Sequence, residues 1–192
     1  MKRTALSLAL AAAALLGAVK PLEVGQSVPD FHARDQNGAD HSLSQYKGKA
    51  VVLEWTNSEC PFVERHYQAG DMQKLAAALG AKEVVWLAVN STYTNTPDDT
   101  KTWMKEEGFA YPTLQDPEGK LGHMFGARTT PHMFVIDAGG VLRYRGAIDD
   151  DEYGRAEKPK NYVDGAVHAL LANASPDPAE TQSYGCSVKY KP

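Results

Sequence analysis

Apolar residues along this chain fall into short continuous runs and helically spaced stripes, and the two alternate. Residues 50–55 (Ala-Val-Val-Leu-Glu-Trp) and 84–89 (Val-Val-Trp-Leu-Ala-Val) are nearly unbroken apolar runs of strand length. A run without polar alternation suits a central strand covered on both faces. Between them Met72, Leu75, Ala76 and Leu79 recur at i, i+3, i+4 and i+7. One helix is therefore predicted from just after Cys60 to Gly80, which is placed to end it. Strand, helix, strand at this spacing forms a parallel pair.

Ahead of the first run, Asp35-Gln36-Asn37-Gly38 reads as a hairpin turn, Asn-Gly supplying the positive φ angles. Pro97–Glu107 is predicted as a helix capped by Thr96, with Pro97 at its first position. Residues 133–136 and 141–145 flank Asp137-Ala138-Gly139-Gly140 and form a hairpin. Its second strand, where Arg143 and Arg145 alternate with Leu142 and Tyr144, is half exposed. Asn161 caps a last helix lined by Val163, Ala166, Val167, Leu170 and Leu171. These stripes read as core packing. The prediction is one α/β domain over residues 19–173, a central mixed sheet with helices on both faces. A tail rich in Pro, Ser and Asp follows at residues 174–192 and carries Cys186.

Composition narrows the class. With 192 residues and 43% hydrophobic content the chain can fill one core, and its two cysteines are too sparse to replace a core with disulfides. The net charge is 20 − 24 = −4, so there is no electrostatic footprint for nucleic acid or anionic lipid. Residues 1–18 read as a secretory signal: Met1-Lys2-Arg3 is basic, residues 4–19 carry no charge, and the apolar stretch is too short to span a membrane. The expected product is exported, periplasmic or secreted, acidic, and not inserted in a membrane once the signal is removed. Its compartment is oxidising.

Two features carry candidate chemistry. Cys60 follows a buried strand and opens a helix through Pro61, where free N–H groups and the helix dipole favour the nucleophilic thiolate; Glu59 opposes this. A buried structural cysteine is the bland alternative. The second is Thr129-Thr130-Pro131, leading into a strand. Proline lacks the ladder N–H and belongs at a strand's first residue, and a cis bond there would leave the Thr130 carbonyl free to meet an extended chain.

In order and spacing these features resemble the thioredoxin superfamily, in particular its redoxin and peroxiredoxin-like branch of AhpC/TSA type. The resemblance runs over about residues 24–171 and includes Leu43-Ser44-Gln45-Tyr46-Lys47-Gly48-Lys49 before the first strand and the Gly139-Gly140 hairpin. It implies a thioredoxin-like fold, Cys60 facing a cis Pro131, and a thiol-dependent oxidoreductase with a possible antioxidant role. It implies no cofactor, and a thiol or disulfide protein, or a peroxide, as substrate or reductant. The chain also departs from the pattern. Cys60-Pro61-Phe62-Val63 lacks the second cysteine of Cys-x-x-Cys, Thr56 stands four residues before Cys60 instead of three, and Pro131 falls where a peroxide-polarising arginine is found, leaving Arg128 nearby. The expected site is thus Cys60, Thr56, Pro131 and Arg128, with Cys186 as resolver on a mobile tail, or as a permanent staple that would silence Cys60. A different reading is a binding module, either a silent scaffold or a copper carrier using Cys60, His132 and Met133. His66 is expected to be solvated or hydrogen-bonded, and Asp149-Asp150-Asp151-Glu152 to be a solvated loop.

Overall fold

The computed structural model describes residues 20–192, so the signal over residues 1–18 lies outside the described residues. Among the described residues nine strands and five α-helices follow in the order β1 (His32–Asp35), β2 (Asp40–Ser42), β3 (Val51–Trp55), α1 (Pro61–Ala69), α2 (Asp71–Gly80), β4 (Val85–Asn90), α3 (Pro97–Glu107), β5 (Thr113–Gln115), α4 (Lys120–Phe125), β6 (Thr129–Thr130), β7 (His132–Ile136), β8 (Leu142–Gly146), α5 (Tyr162–Leu171) and β9 (Cys186–Ser187). Seven strands make one mixed sheet in the order β2-β1-β5-β4-β3-β7-β8. Strands β3, β4 and β5 run parallel, and β7 returns antiparallel to β3. This is the thioredoxin-like arrangement the sequence predicts.

Alternation along the central strands divides the core in two. Val52, Met133 and Val135 point to one face with α1, α2, α3 and α5; Val51, Leu53, Trp55 and Phe134 point to the other, under α4 and the entry segment with Leu22 and Phe31. Helices therefore cover both faces.

Three local differences from the sequence reading have physical causes. The long helix is interrupted at Gly70, whose left-handed φ of 74° ends α1 and starts α2 in a new direction. Strand β5 and helix α4 are three and six residues long, too short to show a period. The tail is no mobile appendage. Residues 179–191 form a strap across the rim of the sheet: Thr181 N–H bonds the Arg145 carbonyl, Val188 N–H bonds the Arg128 carbonyl, and Tyr190 packs on Gly119 and Gly122 and donates to the Ala127 carbonyl at 2.7 Å.

Candidate active site

Cys60 closes the loop after β3 and stands at the N-cap of α1. The turn is set by Asn57, whose backbone carbonyl accepts from Cys60 N–H at 3.1 Å and whose side chain accepts from Glu59 N–H at 3.0 Å. Opposite lies the Thr130–Pro131 peptide, which is cis. Cys60 Sγ donates to the Thr130 carbonyl at 2.9 Å, so the thiol and the proline loop are in direct contact.

The strap completes the site. Strand β9 pairs antiparallel with β6, with Cys186 opposite Thr130 and Ser187 opposite Thr129, which brings the Cys186 thiol close enough to Cys60 for each to shift the other's titration. Gly185 permits this approach. Its φ of +114° lies in the region that glycine favours, and a Cβ there would overlap the Thr130 carbonyl. Both cysteines are free thiols, Cys60 fully buried beneath the strap and Cys186 partly exposed.

The two thiols are unequal. Burial pushes Cys60 up, but the Thr130 side chain, the Val63 N–H of the first helical turn and Cys186 outweigh it, and the net shift is below the ordinary thiol range. Cys186 is pushed up to about 11 by burial and by its contact with Cys60. In this pair Cys60 is the more acidic thiol.

A buried polar cluster fastens the strap next to the thiols. His66, wholly buried on α1, gives its Nδ1–H to Asp71 at 3.1 Å and meets Arg65 Nη2 at 3.0 Å through Nε2. The Tyr184 hydroxyl lies 2.9 Å from the same nitrogen and donates to Asp149 at 2.5 Å. Burial and the Arg65 guanidinium hold His66 below the usual imidazole range. The acidic loop is correspondingly not solvated throughout: Asp149 and Asp151 are buried, Asp151 accepting the N–H groups of Arg155 and Ala156. A second buried group sits below: Glu54 accepts from Tyr67 at 2.9 Å and Trp86 Nε1 at 3.0 Å, and burial raises its carboxyl to about 7.

The structure brings together Cys60, Pro131 and Cys186 of the expected set, and does not add the other two. The Thr56 hydroxyl is buried without a hydrogen-bond partner among the described residues. Arg128 lines a different cavity, beside His132 and Arg145. The copper triad does not assemble: Met133 shares the face of Cys60, whereas His132 turns to the other face against Phe134, because neighbours on a strand point oppositely. Tyr184, Gly185 and Glu54 escaped the sequence reading. Glu54 had left a trace as the one charge inside the apolar run 50–55.

A model described as the AhpC/TSA family matches residues 24–145. The thiol:disulfide interchange protein DsbE of Vibrio cholerae is 32% identical over 127 residues, covering 64% of each chain. Alkyl hydroperoxide reductase E of Mycobacterium tuberculosis is 29% identical over 132 residues, 64% of this chain and 84% of that one. Among solved structures, a hypothetical protein from Sinorhizobium meliloti 1021 shares the fold with a TM-score of 0.79 at 23% identity, covering 90% of this chain and 97% of that one.

Proposed function

This chain belongs to the AhpC/TSA family of redoxin-type proteins with a thioredoxin fold, and from that premise we propose that it is an exported thiol-disulfide oxidoreductase working through Cys60 and Cys186. The observation that carries the reading is the antiparallel pairing of β9 with β6, which sets Cys186 against Cys60 beside Pro131. With the strap lifted, the Cys60 thiolate attacks one sulfur of a substrate disulfide. That bond breaks, the departing sulfur takes up a proton, and Cys60 is left in a mixed disulfide. Cys186, deprotonated, then attacks Cys60 Sγ and expels the second substrate thiol. The substrate gains two electrons, the pair becomes a Cys60–Cys186 disulfide, and an external dithiol restores it.

A disulfide is favoured over a peroxide because, among the described residues, neither the Thr56 hydroxyl nor the Arg128 guanidinium hydrogen-bonds Cys60. An antioxidant role would run through a Cys60 sulfenic acid that condenses with Cys186, releasing water. Export rests on the basic start and the uncharged residues 4–19, and amino-terminal sequencing of the exported protein should begin after Ala18.

Mass spectrometry of the protein oxidised by glutathione disulfide tests the core of the reading. An intramolecular Cys60–Cys186 bond in the native chain and a glutathione adduct trapped on Cys60 in Cys186→Ser are expected. A Cys60 that forms neither would end the proposal.

A further inference from the structure

Behind β6, on the face away from Cys60, lies a cavity of about 210 Å³ whose lining includes Arg128, His132, Arg145, Glu180 and Ser183. Its wall is rich in donors. His132 and Ser183 are each 95% buried, 5% of their surface remaining exposed. His132 Nδ1 accepts the Arg128 N–H at 3.2 Å, which leaves the ring proton on Nε2. Among the described residues neither that Nε2–H nor the Ser183 hydroxyl has a hydrogen-bond partner, and the Arg128 guanidinium has no ion pair. Arg145 is already engaged, by the Leu22 carbonyl at 2.9 Å and by Glu180 at 2.7 Å. Two guanidiniums therefore face one carboxylate, and the cavity keeps a positive balance. Burial, together with Arg128 and Arg145, lowers His132 to about 3, so the ring is neutral and offers a hydrogen bond without adding charge.

Two donors without a protein acceptor, on side chains that are largely buried but open to the cavity, and an exposed guanidinium without an ion pair around one small space are the complement of an oxyanion. We propose that this cavity binds a single oxyanion group, a carboxylate or a phosphate or sulfate, held by Arg128, the His132 Nε2–H and the Ser183 hydroxyl. The site does not depend on the redox role of Cys60. It does touch the strap. Ser183 stands three residues before Cys186, whereas Arg128 and His132 belong to the body of the fold, so an anion bridging them would hold the strap down.

The test is a titration of the reduced full chain at pH 7 and constant ionic strength, with phosphate, sulfate and acetate each replacing chloride. The His132 imidazole resonances are followed by NMR, and the alkylation rate of Cys186 is measured in parallel. A saturable shift with at least one anion is expected, weakened about tenfold or more by Arg128→Gln and by a smaller factor in Ser183→Ala, with alkylation slowed as the site fills. Which anion saturates at the lowest concentration assigns the ligand as carboxylate or tetrahedral oxyanion. Arg128 is exposed, so its substitution leaves the fold intact. No saturable shift with any of the three, or equal binding by Arg128→Gln, would overturn the proposal.

Discussion

Glu54 shows what one side chain does to the energetics of the sheet. Its carboxyl is enclosed by Tyr67, Trp86 and Tyr111, and burial raises it from an ordinary 4.5 to about 7. Between these values the folded chain holds a proton that the unfolded chain has lost, so stability falls as pH rises through that window. For this group the loss is on the order of 3 kcal/mol as an upper figure. His132 works in the opposite sense: its folded value near 3 means the unfolded chain takes up the extra proton, and stability is lost as pH falls below about 6.5. The measurement is thermal unfolding of Glu54→Gln and the native chain at pH 5 and pH 8. The variant should gain on the native protein between the two pH values by roughly 1–3 kcal/mol. A constant difference would mean that Glu54 is ionised in the fold throughout.

At the scale of elements the strap decides how the site behaves. A two-residue strand has little strength of its own, so β9 relies on the Gly185 approach, the Tyr184 contacts with His66 and Asp149, and Tyr190 on α4. Gly185→Ala should push β9 off the Thr130 carbonyl, cost about 1–3 kcal/mol and raise the alkylation rates of both Cys60 and Cys186 at least tenfold. Unchanged protection of both thiols would show that the strap is held elsewhere. The same physics explains what could be read in the chain beforehand. The strands around the site are apolar runs, and Cys60-Pro61 and Thr130-Pro131 mark a helix start and a strand entry with residues whose backbone chemistry is distinctive. The strap has no period, because its hold comes from single side chains and one glycine meeting distant partners. The Gly70 break stayed hidden in sequence because the apolar stripe continues across it, and Asp149 looked solvated because Tyr184 comes 35 positions later.

For the whole molecule, the two thiols define a ring of 186 − 60 = 126 residues. Closing it removes denatured-state entropy worth at most about 5 kcal/mol, so the oxidised protein should melt higher than the reduced one, on the order of 10 °C. Calorimetry of both forms measures this. An equal rise in Cys186→Ser on oxidation would detach the effect from the pair. The same separation has a meaning during synthesis. Cys60 is translated long before Cys186, so on the growing polypeptide this thiol lacks the strap that covers it and the second thiol beside it. Another thiol can reach Cys60 in that interval, before the fold has buried it.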